Sequence, residues 1–251
     1  MQRQRYTLGL VSISFRGNSP LEIIQAVKAA GLSCIEWGSD VHAPCKDTQR
    51  LHEIAALQKE YGITCSSYGT YFFLGQDNTE ELIDYVHAAK ILGTNIIRLW
   101  CGKKSGADMT EEERAHLLAE CRKAARIAEA HKVTFCMECH RSSYTDRPEY
   151  AVALMEAMDS PGFRMYWQPF QWLDTDRSLS VAESVSRYTQ HIHVFNWRGD
   201  DRFPLSDGVE DWKRYLTAFS TPRTLLLEFM PDDRIESLPH EVEALKAIIG
   251  E

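Results

Sequence analysis

Eight short β-rich runs recur along the chain, and their spacing constrains the fold more than any other feature. They begin at Thr7, Cys34, Ile63, Asn95, Val133, Phe163, His191 and Thr224. Spread over 251 residues, they recur about every 31 residues, room for one strand, one helix and two loops. Between them lie patterns with apolar residues three and four apart, as an amphipathic helix requires. Ser19-Pro20 opens one of these as a cap followed by proline. Thr-Glu-Glu opens two more, at Thr79 and Thr110, and the last begins at Pro239. Acidic openings and Gly or Lys endings suit the helix dipole. Strands alternating with helices predict a parallel sheet. Eight such units predict closure into a (β/α)8 TIM barrel, an α/β fold with a single domain over residues 1–251. An open doubly wound sheet is disfavoured, because no G-x-G-x-x-G follows any run.

Composition narrows the function classes. Hydrophobic residues are 44% and charged residues 25%, which excludes a disordered chain, a collagen or a coiled coil. The 28 basic and 36 acidic side chains leave a net charge of −8, an argument against nucleic acid as the partner. No run reaches the roughly 18 apolar residues of a membrane span, so no membrane partner is expected. Residues Met1 to Thr7 hold no apolar run, so no signal peptide is expected. Most of the seven cysteines sit inside apolar runs and read as reduced, buried thiols of a cytoplasmic protein. Cys136 and Cys139 form a C-x-x-C without a second pair. Residues three apart on a strand face opposite sides, so this is not read as a metal site.

In a barrel, chemistry gathers where the strands end. Four of the run ends stand out: Glu138, Gln168, His193 and Glu228, one on each of four consecutive strands. Closure brings them toward the axis. Two carboxylates, an imidazole and an amide oxygen there suit one divalent metal ion. Mn²⁺, Mg²⁺ and Zn²⁺ all fit, and the mixed oxygen and nitrogen set leans toward manganese or zinc. Carboxylates that close repel unless a metal or a proton neutralises them. Taken singly, each has a plainer explanation, since a strand-end glutamate can reach solvent and a lone histidine can be a core group. Their common phase on four successive units argues for the site.

Other run ends supply candidate substrate contacts. His140 lies two residues beyond Glu138, on the same side of the strand, as an acid/base, a hydroxyl-binding group or a plain loop histidine. Arg98 can meet a substrate oxyanion or pair with Glu36. Trp37, Tyr68, Trp100 and Trp197 can form an apolar wall that stacks a sugar ring, or can simply pack the rim. His42, Gln171 and Arg198 follow runs two, six and seven.

With these residues in place, the chain resembles the xylose isomerase-like TIM-barrel superfamily of sugar phosphate isomerases and epimerases, which also contains the AP endonucleases of family 2. The resemblance covers essentially the whole chain. It rests on IEWGSDVHAP at Ile35, SSYGTYFFLG at Ser66, IRLWCG at Ile97, MECH at Met137, YWQPFQ at Tyr166, HIHVFNW at His191 and LLLEF at Leu225. In that superfamily the metal ligands are typically Glu, Asp, His and Glu, which fall here on Glu138, Gln168, His193 and Glu228. Gln168 departs from the usual Asp. Gln171 stands where an epimerase-like pattern has His, and Phe195 where Lys is often found. The resemblance implies a metal-dependent sugar or sugar phosphate isomerase or epimerase. Proton transfer would run through a cis-enediolate held on the cation. Glu138 and Glu228 would move the proton, and His140 would orient a hydroxyl. A small carbohydrate is the implied substrate, and rim aromatics offer a route to a homo-oligomer. Two alternatives stay open: a lyase or dehydratase acting on a keto-sugar or keto-polyol, and a sugar-binding barrel without catalysis. A repair nuclease is disfavoured, because the strand ends supply too few His and Asp ligands for about three zinc ions.

Overall fold

The computed structural model describes residues 6–251, so the leader expectation for residues 1–5 lies outside the described residues. Seven parallel strands, β1 (Thr7–Val11), β2 (Cys34–Gly38), β3 (Thr64–Leu74), β4 (Ile96–Cys101), β5 (Thr134–Glu138), β6 (Phe163–Trp167) and β7 (Thr189–Val194), lie in chain order around a barrel. A two-residue hairpin follows, β8 (Trp197–Arg198) against β9 (Asp201–Arg202), and β10 (Thr224–Leu227) then closes the barrel between β7 and β1. Eight helices alternate with the barrel strands: α1 (Pro20–Ala29), α2 (Thr48–Tyr61), α3 (Leu82–Leu92), α4 (Glu111–His131), α5 (Pro148–Met158), α6 (Thr175–Val185), α7 (Val209–Leu216) and α8 (Leu238–Ile249). This is the (β/α)8 barrel that the run spacing predicts. Among the described residues no helix is long and apolar enough to cross a membrane.

Helix boundaries follow local chemistry. Ser19 accepts from Glu22 N while the Glu22 carboxylate takes Ser19 N, and Thr110 and Glu113 repeat the same reciprocal cap on α4. Each pair satisfies two backbone donors that a helix start leaves free. Gly62, Gly93 and Gly250 end α2, α3 and α8 in the left-handed region. The segment from Thr79 departs from expectation. Thr79–Glu81 is a 3-10 turn that Asn78 caps, and α3 begins only at Leu82.

Strands buried on both faces show nearly unbroken apolar runs. Val11, Cys34, Cys136, Tyr166 and Leu226 fill the barrel interior, while a larger apolar layer separates strands from helices. Cys136 belongs to the inner cluster and Cys139 to the outer layer, the split that their spacing predicts. All seven cysteines are free thiols.

Two strand ends differ from the sequence reading. The third run read from the sequence spans ITCSSYG, residues 63–69, but β3 runs on to Leu74, with a shift in register between Gly69 and Phe73. Gly69 serves close packing. A Cβ there would lie 2.6 Å from Glu36 Oε1 and 3.1 Å from Arg98 Nη2. The seventh run breaks after Val194, so Trp197 and Arg198 lie on the separate hairpin β8–β9.

Candidate active site

The four strand-end residues meet at the C-terminal mouth of the barrel. Glu138 ends β5, Gln168 follows β6 directly, His193 is near the end of β7, and Glu228 follows β10. All four are buried. His193 Nδ1 lies 3.1 Å from Gln168 Oε1, 3.4 Å from Glu228 Oε2 and 3.6 Å from Glu138 Oε1. Ligand atoms of Glu138, His193 and Glu228 fall within 4.8 Å of one another. Donors bound about 2.1 Å from one cation must stand about 3 to 3.5 Å apart when adjacent, so the observed spacings fit a shared ion. Hard oxygens with one imidazole nitrogen fit Mg²⁺, Mn²⁺ or Zn²⁺.

Beneath these donors lies a buried charge network. Arg98 Nε donates to Glu36 Oε1 at 3.1 Å, and Arg98 Nη1 donates to Glu138 Oε2 at 2.5 Å. Ser67 Oγ donates to Glu36 Oε2 at 2.8 Å. Glu36 Oε1 also stands 3.4 Å from His193 Nε2, off the alignment of a hydrogen bond. Arg98 is therefore shared by two carboxylates. The structure shows it paired with Glu36, one of the two roles open to it in the sequence, and adds Glu138 as a second partner. Glu36, a candidate substrate contact, instead sits fully buried behind the imidazole.

Electrostatics separate the two acids at the mouth. Burial pushes the Glu228 carboxyl up to about 7, reinforced by Glu138 and opposed by the cationic form of His193. Burial acts the same way on Glu138, but the Arg98 guanidinium and His193 outweigh it and hold that carboxyl at about 2. For His193, burial favours the neutral ring, yet Glu228 and Glu36 together raise it to about 10. Without a cation, a proton on His193 does the neutralising.

A cavity of about 220 Å³ opens above this group. Glu138, Gln168, Glu228 and Arg98 lie at its floor, and His140, Trp100, Gln171 and Trp197 line it as well. His140 Nδ1 is 2.7 Å from the Arg141 carbonyl, which can only accept. Nδ1–H therefore donates to that carbonyl, which leaves Nε2 as the ring nitrogen free of this bond. The His140 ring lies against Trp100, centroids 4.1 Å apart.

Several expected contacts are elsewhere. Trp37 and Tyr68 are fully buried in the outer apolar layer. Trp37 Nε1 donates to Gln58 Oε1 on α2 at 2.6 Å, and Tyr68 Oη donates to the Ala43 carbonyl at 2.5 Å. The reason is the strand pleat: Glu36 and Ser67 face inward, so their neighbours Trp37 and Tyr68 face the helices. His42 is buried against the β1–α1 connection, with Nδ1 3.0 Å from Ser12 Oγ and Nε2 3.2 Å from the Asn18 carbonyl. Arg198 is exposed on the hairpin, its guanidinium 5.2 Å from the centre of the Phe203 ring. It lines a neighbouring cavity of about 260 Å³ that shares the Gln171, Phe195 and Trp197 wall.

Conversely, Ile13, Tyr71, Arg141 and Phe229 line the central cavity without having been picked out in the sequence. Tyr71 sits on the unforeseen extension of β3, accepts from Arg16 Nη2 at 2.5 Å, and lies beside Trp100. Phe229 takes a left-handed φ of 56°, uncommon for an aromatic residue, directly after Glu228. Its N–H donates to Ser14 Oγ at 2.9 Å.

A sequence profile of the family described as xylose isomerase-like TIM barrel matches residues 24–248. The chain belongs to this family. Over 201 residues it is 23% identical to 3-dehydroshikimate dehydratase of Bacillus anthracis, covering 76% of this chain and 71% of that protein. The crystal structure of the probable 3-DHS dehydratase AsbF from Bacillus anthracis superposes with a TM-score of 0.79 at 17% identity, covering 96% of this chain and 98% of that one. D-Psicose 3-epimerase from Clostridium cellulolyticum H10, solved with D-tagatose, superposes with a TM-score of 0.72 at 15% identity, covering 96% of this chain and 97% of that one. The proteins it is similar to thus include an epimerase and a dehydratase.

Proposed function

We propose that this chain is a metal-dependent isomerase or epimerase of a small carbohydrate, with Glu138 and Glu228 exchanging the proton. The observation that carries the reading is that two buried carboxylates, Glu138 and Glu228, face one cavity with ligand atoms within 4.8 Å of each other and of His193, while in the metal-free fold burial raises Glu228 and Arg98 outweighs burial to hold Glu138 low. Divergent pairs of this kind divide acid and base roles between two like groups. Glu138, Gln168, His193 and Glu228 are the residues that would hold the cation, which when bound would polarise a carbonyl oxygen and ease loss of the neighbouring C–H proton.

The chain's own residues supply the rest. Glu228 faces the cavity beside Glu138 and is placed to take up and return a proton. Arg98 keeps Glu138 ionised and fixes its orientation. Gln168 contributes a neutral oxygen, so the set carries one negative charge fewer than a set with aspartate there. Trp100 and Trp197 offer faces for a sugar ring. The test is solvent-deuterium incorporation into ketoses incubated with the metal-loaded protein. Glu228→Gln should abolish it. Exchange at the wild-type rate would refute the assignment.

One observation favours a second reading. His140 lines the cavity with Nδ1 tied to a backbone carbonyl, so Nε2 is a further ring nitrogen, beyond the two glutamates, that could meet a substrate proton. Such a group suits elimination of water from a keto-sugar or keto-polyol, and the similarity to a dehydratase points the same way. Product mass separates the readings, since a lyase product is lighter by one water and an isomer is not.

A further inference from the structure

We propose that the base of the barrel carries an anion site for a phosphate group, held by Arg164, Arg187 and Arg223. It does not depend on the proposed activity and lies at the opposite end of the strands from Glu138 and Glu228. A cavity of about 280 Å³ opens where β6, β7 and β10 begin, and the three arginines line it together with Thr189 and Gln190. Among the described residues no carboxylate lines it. In a chain of net charge −8, three guanidiniums line one hollow and two of them pair with no carboxylate among the described residues, an electrostatic imbalance that a bound anion removes.

Each arginine contributes differently. Arg164 lies two residues before Tyr166 on β6, and Tyr166 packs in the barrel interior, so the pleat places Arg164 on that same inward side. Its side chain makes no hydrogen bond or ion pair among the described residues. Arg223 spends Nη1 on Thr221 and Nη2 on the Ser186 carbonyl at 3.3 Å, while its Nε is buried without a partner among the described residues. Arg187 reaches Glu156 at 2.8 Å on the outer side and stacks on Tyr188. Residues 1–5, Met-Gln-Arg-Gln-Arg, contain no acidic side chain. Two of the three charges therefore lack a carboxylate partner.

Guanidinium forks match the oxygens of carboxylate and phosphate two at a time, and the double charge and third oxygen of a phosphate monoester suit a group of three arginines. The cavity exceeds the size of a bare phosphate and its walls are polar, which suits a phosphate monoester with a short hydroxylated tail.

Calorimetric titration of metal-free protein with inorganic phosphate and with glycerol 3-phosphate tests the site, with sodium chloride at matched ionic strength as the reference. Both phosphates should bind one saturable site. Tighter binding of glycerol 3-phosphate identifies a phosphorylated metabolite as the occupant, and equal or tighter binding of inorganic phosphate identifies the free ion. Arg164→Gln and Arg223→Gln should each weaken binding by about tenfold or more, and Arg198→Gln, at the other face, should leave it unchanged. Heats indistinguishable from chloride, or affinity unaltered in both base variants, overturn the proposal. If the glutamine variants do not fold, Arg164→Lys keeps the charge without the fork and should still weaken binding. Tungstate soaked into crystals should then give its density peak between Arg164 and Arg223, and a peak elsewhere overturns the assignment.

Discussion

Glu36 Oε1 stands 3.4 Å from His193 Nε2, while the opposite ring nitrogen faces Gln168, Glu138 and Glu228. A carboxylate behind the imidazole attracts a proton to Nε2 and so favours Nδ1 as the nitrogen presented to the mouth, and carboxylates beyond the ring are common where histidine holds a metal. Glu36→Gln should therefore weaken metal binding by about 10- to 100-fold while the barrel still folds. Competition titration with a chromophoric chelator measures this, and unchanged affinity would show that Glu36 serves Arg98 alone.

Stabilisation by the cation should depend on pH with a definite sign. The His193 pKa is raised from 6.5 to about 10 in the metal-free fold. The extra stability from its proton is complete below the unfolded value and is lost as pH rises toward about 10. A bound cation needs the neutral ring. The rise in Tm on adding Mg²⁺ should then be larger at about pH 8.5 than at about pH 6, with proton release on binding. A shift that shrinks with rising pH would contradict this protonation scheme.

Gln168 sets the charge of the ligand group. Gln168→Asp should tighten metal binding by about tenfold or more, because it places a third carboxylate within reach of the cation. The same chelator competition reads this out, and weaker binding in the variant would mean that Gln168 lies outside the coordination sphere.

Trp37 offers the opposite case, a residue outside the cavity. It is fully buried and donates to Gln58 Oε1 at 2.6 Å. Trp37→Phe should lower stability by about 1–3 kcal/mol through the orphaned Gln58 acceptor and the lost volume. Metal affinity should be unaffected. Urea unfolding checks the first expectation, and a metal-affinity loss comparable to that of Glu36→Gln would place Trp37 at the site after all.

The sequence made the barrel legible because strand runs and helix patterns alternate at a nearly constant interval, and closure then brings strand ends together whatever the loops do. Glu138, Gln168, His193 and Glu228 could be singled out because each ends one run at the same phase. What pleating does to neighbours was the harder part. Trp37 and Tyr68 sit one residue from inward-facing Glu36 and Ser67 and so point to the helices. Gly69 looks like a strand end but is the place where Glu36 and Arg98 come close to the backbone, which hid Tyr71 on the strand beyond it. Phe229 was hidden for another reason: its left-handed backbone is a property of the turn after β10 that no residue preference announces.

The account's central claim is one cation held among the ends of β5, β6, β7 and β10. Anomalous diffraction from crystals grown with Mn²⁺ tests it most directly. The account predicts one dominant peak in contact with Glu138, His193 and Glu228, with Gln168 Oε1 completing the group. Absence of a peak there at saturating Mn²⁺, with Arg98 and the protonated imidazole continuing to neutralise the carboxylates, would contradict it.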